Sequence, residues 1–241
     1  MLRLKGDRDM GIAENMERAR RNISLAAERA GRAPEEIYLV GATKMNDAKR
    51  VQEAIAAGLS ICGENRVQEL AEKNAQGAYT GAALHFIGHL QRNKARQVVG
   101  TVSLIHSVDS VELMRVIDRL AREKGLVQDI LLEVNIGGET AKSGFAPVEI
   151  ASALAAAGEF RALHVRGLMT IPPICADGEE NRPYFTVMKQ LFIDNSEKKY
   201  DNIDMDFLSM GMSGDYMAAI DCGANMVRLG TAIFGARDYS K

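Results

Sequence analysis

The sequence is poor in the features that mark several large classes of protein. Its three cysteines, Cys62, Cys175 and Cys222, lie far apart, with no CxxC pair and no metal-ligand spacing. That argues against a disulfide framework and a zinc site, and it points to a reducing compartment. Net charge is only −2, from 30 basic and 32 acidic residues, so there is no broad basic field to hold nucleic acid or an anionic membrane. No apolar run approaches the roughly 20 residues that span a bilayer, and Met1-Leu2-Arg3-Leu4-Lys5 leads into charge rather than a signal-peptide core. A cytoplasmic protein with small-molecule partners is expected. Prolines are scarce, and the three between Pro172 and Pro183 mark a loop too proline-rich to be regular, a candidate lid.

What the chain does hold is a repeating order of apolar runs and amphipathic stretches. With 46% apolar side chains over 241 residues it can bury a large core. Ile37-Tyr38-Leu39-Val40-Gly41-Ala42-Thr43-Lys44 is a nearly continuous apolar run closed by a lysine, which suits a central strand of a parallel sheet covered by helices. Before it, Met16, Ala19, Ile23, Ala26 and Ala30 recur at the steps of one helix face, and Gly31 closes the pattern. After it, Asn46 or Asp47 caps a helix that buries Ala48, Val51, Ala54 and Ile55 and ends at Gly58. Further strands are predicted at 60–63, 84–88, 104–106, 129–135, 165–170, 207–210 and 226–229, separated by helical patterns from Glu64-Asn65, Gln91, Ser110, Pro147, Tyr184 and Met217. Eight such units match a single (β/α)8 TIM barrel, one domain over 1–241, whereas an open doubly wound sheet usually stops at five or six strands. About ten residues follow the last strand, too few for a full eighth helix plus a tail. The extra amino-terminal helix is therefore expected to cover that part of the barrel.

A barrel builds its site at the carboxyl ends of its strands. Those ends are mostly polar or glycine here: Lys44, Asn65, Gly88-His89, Asp109, Asn135, Thr170, Ser209 to Ser213 and Arg228 to Thr231. A lone lysine after a strand is more often solvated than functional. Strands seven and eight, however, end in Ser209-Met210-Gly211-Met212-Ser213-Gly214 and Arg228-Leu229-Gly230-Thr231-Ala232, where barrels hold phosphate with backbone amides. Either loop alone reads equally well as a tight turn, but two in these positions favour phosphate. Phosphate loops beside a strand-end lysine suggest pyridoxal phosphate, whose aldehyde needs a lysine amine and whose phosphate needs an amide cradle. Ser209 and Thr231 are then expected to donate to the phosphate alongside the amides of Gly230 and Ala232. Arg228 has two readings: a structural ion pair, or a partner of the pyridine nitrogen that keeps it unprotonated and weakens the electron sink.

Five stretches carry a family resemblance: Val40-Gly41-Ala42-Thr43-Lys44, Gly63-Glu64-Asn65-Arg66-Val67-Gln68-Glu69, His85-Phe86-Ile87-Gly88-His89-Leu90-Gln91-Arg92-Asn93-Lys94, Leu208-Ser209-Met210-Gly211-Met212-Ser213, and Val227-Arg228-Leu229-Gly230-Thr231-Ala232-Ile233-Phe234-Gly235. In this order, and over nearly the whole chain, the sequence resembles the pyridoxal phosphate homeostasis proteins. The resemblance implies a barrel like the amino-terminal domain of alanine racemases, with a Schiff base on Lys44. It places Ser209, Gly230 and Thr231 at the phosphate, with Met210 and Gly211 in the same loop, Arg228 near the pyridine nitrogen and Asn65 near the cofactor. It also implies a carrier that binds the cofactor reversibly and supplies or buffers it, with apoenzymes that use the cofactor as partners. A monomer is expected.

Two of these residues have plainer readings. Asn65 with Gln68 three residues on also forms a capping box, and His85, a candidate for a place under the ring, also reads as a core histidine within a strand. Asp47 and Leu84 depart from the proline and tryptophan of many family members, away from any proposed cofactor atom. The alternative function is a racemase or related amino-acid enzyme. Racemisation needs a proton donor and acceptor on each face of a planar carbanion, and Lys44 serves only one face. Alanine racemases take the second base, a tyrosine, from another domain of the partner subunit, whereas only Gly235 to Lys241 follow Phe234 here. Tyr239 is the one candidate near the end of the sequence, where a tyrosine is usually poorly positioned. Little or no turnover is therefore expected.

Overall fold

The computed structural model describes residues 11–197 and 200–236, so Met1 to Lys5 and Tyr239 lie outside the described residues. Helix α1 (Ile12–Arg29) comes first, followed by β1 (Tyr38–Ala42) and α2 (Ala48–Ala56), β2 (Ile61–Glu64) and α3 (Val67–Ala75), and β3 (Ala83–Phe86) and α4 (Ala95–Val98). Then come β4 (Leu104–Val108) and α5 (Val111–Glu123), β5 (Gln128–Val134) and α6 (Ile150–Ala157), and β6 (Leu163–Thr170) and α7 (Arg182–Ser196). The series ends with β7 (Ile203–Met212) and α8 (Tyr216–Asp221), and β8 (Met226–Leu229) and the one-turn α9 (Thr231–Phe234). All neighbouring strands pair in parallel and in chain order, and β8 closes on β1. The fold is the eightfold β/α barrel with an additional amino-terminal helix.

Strand alternation sorts the side chains into two cores. Val40, Ala42, Leu104, Leu131, Met169 and Met226 fill the barrel interior, while Ile105, Leu132, Val165 and Val227 face the helices. On β1 the interior parity runs through Val40 and Ala42, and its next member is Lys44. Helices α2 and α5 begin where a side chain can accept from their first amides: Asp47 takes the Arg50 N–H at 2.8 Å and Ser110 the Leu113 N–H at 3.3 Å. Helix α1 buries Ile12, Met16, Ala19 and Ile23 against α2, α8 and α9, and the Asn15 amide donates to the Ile233 carbonyl at 3.1 Å. It covers the side of the barrel that the single turn of α9 leaves open.

Three local expectations are corrected. Strand β1 stops at Ala42, because the chain turns after Thr43 and Met45 takes a left-handed conformation with φ 61°. The Asn65–Gln68 capping box does not form: the chain stays extended through Arg66 (φ −127°, ψ 129°), which caps α3 without a side-chain bond. Pro183 lies in the first turn of α7, where its missing N–H costs nothing, after a turn that Asp177 opens by accepting from Glu179. Among the described residues, no helix is long and apolar enough to cross a membrane.

Candidate ligand site at the barrel mouth

Ala42 and Lys44 at the end of β1 face Gly230, Thr231 and Phe234 across an open cavity of about 470 Å³. The loop that carries Lys44 is tied at several points. Asn46 donates its backbone N–H to the Thr43 carbonyl and its side-chain amide to the Lys44 carbonyl, both at 3.1 Å. Arg50, from α2, reaches across the cavity rim to the Phe234 carbonyl. A methionine in the left-handed region costs on the order of 1–2 kcal/mol, and the loop keeps Met45 there. The two glycine-rich turns meet on the far wall, where the Ser213 hydroxyl accepts from the Gly230 N–H at 3.1 Å and the Ala232 N–H at 3.2 Å. The sequence suggests Ser209 for the phosphate and gives Ser213, in the same loop, no role; the one signal for Ser213 is its place beyond the end of β7, level with the turn after β8.

A polar layer crosses the barrel beneath this mouth. Arg228, 4% exposed, donates to the Ser209 hydroxyl at 2.6 Å and to the Thr170 carbonyl at 2.8 Å. Ser209 lies 3.1 Å from His106 Nδ1, and His106 Nε2 lies 3.0 Å from His85 Nδ1. Burial pulls His85 down to about 4, and burial, His85 and Arg228 together hold His106 well below its ordinary value. Both rings are therefore neutral near pH 7, and one passes an N–H to the other. Burial also lowers Arg228 to about 10, against the attraction of Glu133 and Asp215, so it stays charged. Its hydrogen bonds go to neutral oxygens and the two carboxylates act through space, so its setting is not that of a close ion pair.

The sequence-selected residues thus fall into separate groups. Lys44, Gly230 and Thr231 share the larger cavity. Ser209 and His85 back Arg228, and Ser209 is wholly buried. Met210 packs in the outer core, and Gly211 (φ 94°) lies so close to α8 that a Cβ would stand 2.9 Å from Tyr216 Cα. Asn65 lines a second cavity of about 220 Å³ with Gly88, Glu133, Asn135 and Lys142. The buried side-chain oxygens of Asn65 and Asn135 have no partner among the described residues, and such acceptors call for a donor.

Glu133 links this cavity to Arg228. Burial first, with Asp109 adding, pushes its carboxyl up to about 7 from an ordinary 4.5, while Arg228 opposes. Between those two values the folded state holds a proton that the unfolded chain has lost. The contribution of Glu133 to stability is therefore greatest below pH 4.5 and falls as pH rises through 7, by about 3 kcal/mol in all. Glu133→Gln is expected to flatten this slope, raising stability at pH 8 by up to about 3 kcal/mol and leaving it unchanged at pH 4. Urea unfolding at the two pH values measures the difference.

An eightfold barrel with a strand-end lysine facing glycine-rich turns defines a class, and the family model described as "Alanine racemase, N-terminal domain" matches residues 15–238. The chain is 40% identical to the pyridoxal phosphate homeostasis protein of Aquifex aeolicus, covering 95% of this chain and 100% of that one. It is 42% identical to the protein of the same name from Escherichia coli, covering 95% and 98%. A solved structure of PipY from Synechococcus elongatus with PLP bound superposes with a TM-score of 0.80 at 31% identity, over 93% of this chain and all of that one. This chain belongs to the pyridoxal phosphate homeostasis protein family, built on the alanine racemase amino-terminal barrel.

Proposed function

We propose that this chain binds pyridoxal phosphate in the barrel mouth, holds it covalently through Lys44, and serves as a carrier that takes up and releases the cofactor. The observation that carries this reading is the shared cavity, with Lys44 on one wall and Gly230 and Thr231 on the other. The names of the relatives and the cofactor bound in PipY support it. When bound, the cofactor supplies an aldehyde that condenses with a primary amine. Lys44 presents that amine. The Gly230 and Ala232 amides, which Ser213 draws to one point by accepting from both, would turn to the phosphate together with the hydroxyls of Ser213 and Thr231. Arg228, fixed by Ser209 and Thr170, would offer its charge to the ring nitrogen. Ser209 and, through His106, His85 are positioning residues for Arg228, and the unpartnered Asn65 oxygen, in the adjoining cavity, would accept from a donor of the bound group.

The same arrangement disfavours turnover of amino acids. An arginine at the ring nitrogen makes a weak electron sink, and Lys44 attends one face of a carbanion where a racemase needs two. In this reading the 241 residues act as one domain and as a monomer. Mixing the loaded protein with an apoenzyme tests the carrier role: the apoenzyme gains activity as the carrier loses its absorbance. Enzyme-dependent inversion of an amino acid's α-proton in deuterated water, lost in Lys44→Ala, contradicts it.

The phosphate assignment has its own test. Ser213→Ala is expected to weaken cofactor binding about tenfold or more, the value of one charge-assisted hydrogen bond. Ser209→Ala is expected to change the spectrum of the bound cofactor more than its affinity. Titrations followed by absorbance separate the two.

A further inference from the structure

We propose that Glu64, Glu69 and Lys73 form a clamp that fixes the two peptide groups flanking Lys44 and so sets the position of its amine. The inference rests on Lys44 being the attachment point. Lys73 Nζ, on α3, donates to the Thr43 carbonyl at 2.8 Å, and that carbonyl belongs to the peptide preceding Lys44. The peptide after Lys44 is held from the same helix, since the Met45 N–H donates to Glu69 Oε2 at 2.7 Å. Lys73 and Glu69 are themselves paired at 3.2 Å, one helical turn apart. The clamp thus grips both sides of one residue and leaves its side chain to face the cavity.

Glu64, at the end of β2 and wholly buried, anchors the assembly. Its Oε1 accepts from Lys73 at 2.7 Å, from the Thr43 hydroxyl at 2.6 Å and from the Tyr79 hydroxyl at 3.0 Å. The Thr43 hydroxyl also lies 3.2 Å from the Gly63 carbonyl, which ties the loop to β2. Buried charges are costly unless paired and hydrogen-bonded, and here two of them, Glu64 and Lys73, stand with the half-buried Glu69 beneath a loop in which Met45 is left-handed. A strained conformation persists only when its surroundings over-determine it. Met45 is 56% exposed, so its side chain is not what holds it there. The Glu69 carboxylate on its N–H is. The hydrogen bonds of Lys73 and Glu69 to Thr43 and Met45 fall on the two peptides that flank Lys44, which is what positioning of Lys44 requires and general packing does not.

The test separates capture by Lys44 from binding by the phosphate turns. Two probes are used on the apoprotein: pyridoxal phosphate, and pyridoxine phosphate, which keeps the ring and phosphate and lacks the aldehyde. Glu69→Ala is expected to slow covalent capture of pyridoxal phosphate about tenfold or more, as a misplaced reacting group does, with the affinity for pyridoxine phosphate unchanged. Glu69→Gln, whose amide oxygen still accepts from the Met45 N–H, is expected to restore much of the rate. Lys73→Met leaves Glu64 unpaired and risks misfolding, so the double variant Lys73→Met/Glu64→Gln stands in for it, with the same slowing expected. Unchanged capture in Glu69→Ala and in the double variant, or equal losses for both probes, overturns the clamp. Borohydride trapping of the wild type on another lysine overturns the Lys44 reading instead, so the two failures are distinguishable.

Discussion

Lys44→Ala is expected to abolish covalent capture of pyridoxal phosphate and to weaken its binding about a hundredfold, or about 2.8 kcal/mol. Residual affinity follows from the division of labour at the mouth: the amides of Gly230 and Ala232 and the hydroxyls of Ser213 and Thr231 do not depend on the lysine. The fold should tolerate the change, because Lys44 is only half-buried and its loop is held through Thr43, Met45 and Asn46. Calorimetry with pyridoxal phosphate and with pyridoxine phosphate checks this. The wild type should prefer the aldehyde strongly, and the variant should bind both alike. A variant that kept the preference would place the reacting amine elsewhere.

Gly88→Ala is expected to be the most damaging single methyl group near the site. A Cβ on Gly88 would stand 2.1 Å from the Asn65 carbonyl oxygen, 2.6 Å from its Cα and 2.7 Å from its carbonyl carbon. All three are backbone atoms, so no side chain can swing aside. The Gly88 carbonyl is held as well, accepting from the Ser107 hydroxyl at 2.5 Å. The turns after β2 and β3 must part, carrying Asn65 away from Glu133 and Asn135. Overpacking typically costs 1–3 kcal/mol, and a clash with backbone belongs at about 3 kcal/mol or above. Urea unfolding measures the loss, and cofactor affinity should fall with it. A loss below about 1 kcal/mol would mean that the two turns separate freely.

The barrel was legible where strands are short and mostly apolar. Met226–Leu229 reads from the sequence as it stands in the structure, because both its faces are buried. Strand β7 is different: it runs from Ile203, where the sequence suggests a start at Phe207. Its early residues Asp204 and Asp206 look like loop, yet they pair across to β6, Asp204 with His164 at 2.8 Å and Asp206 with Arg166 at 2.6 Å. Such cross-strand pairs stabilise a polar strand and leave no local pattern. The same limit governs the site. Lys44, Gly230 and Thr231, which share one cavity, could be picked out because each lies within two residues of a strand's end. The contacts of His106 and Ser213 could not, since they come from partners remote in sequence, Ser209 for one and the Gly230 turn for the other. Asn65 was ambiguous between cap and ligand until the extended Arg66 removed the cap.

The most direct measurement is borohydride reduction of the protein loaded with pyridoxal phosphate, followed by proteolysis and mass spectrometry of the labelled peptide. The account predicts one modified lysine, Lys44, the residue whose two flanking peptides are held from α3 and whose cavity it shares with Gly230 and Thr231. Label on Lys142, in the smaller cavity beside Asn65 and Glu133, or an unlabelled protein that still binds the cofactor, would contradict it.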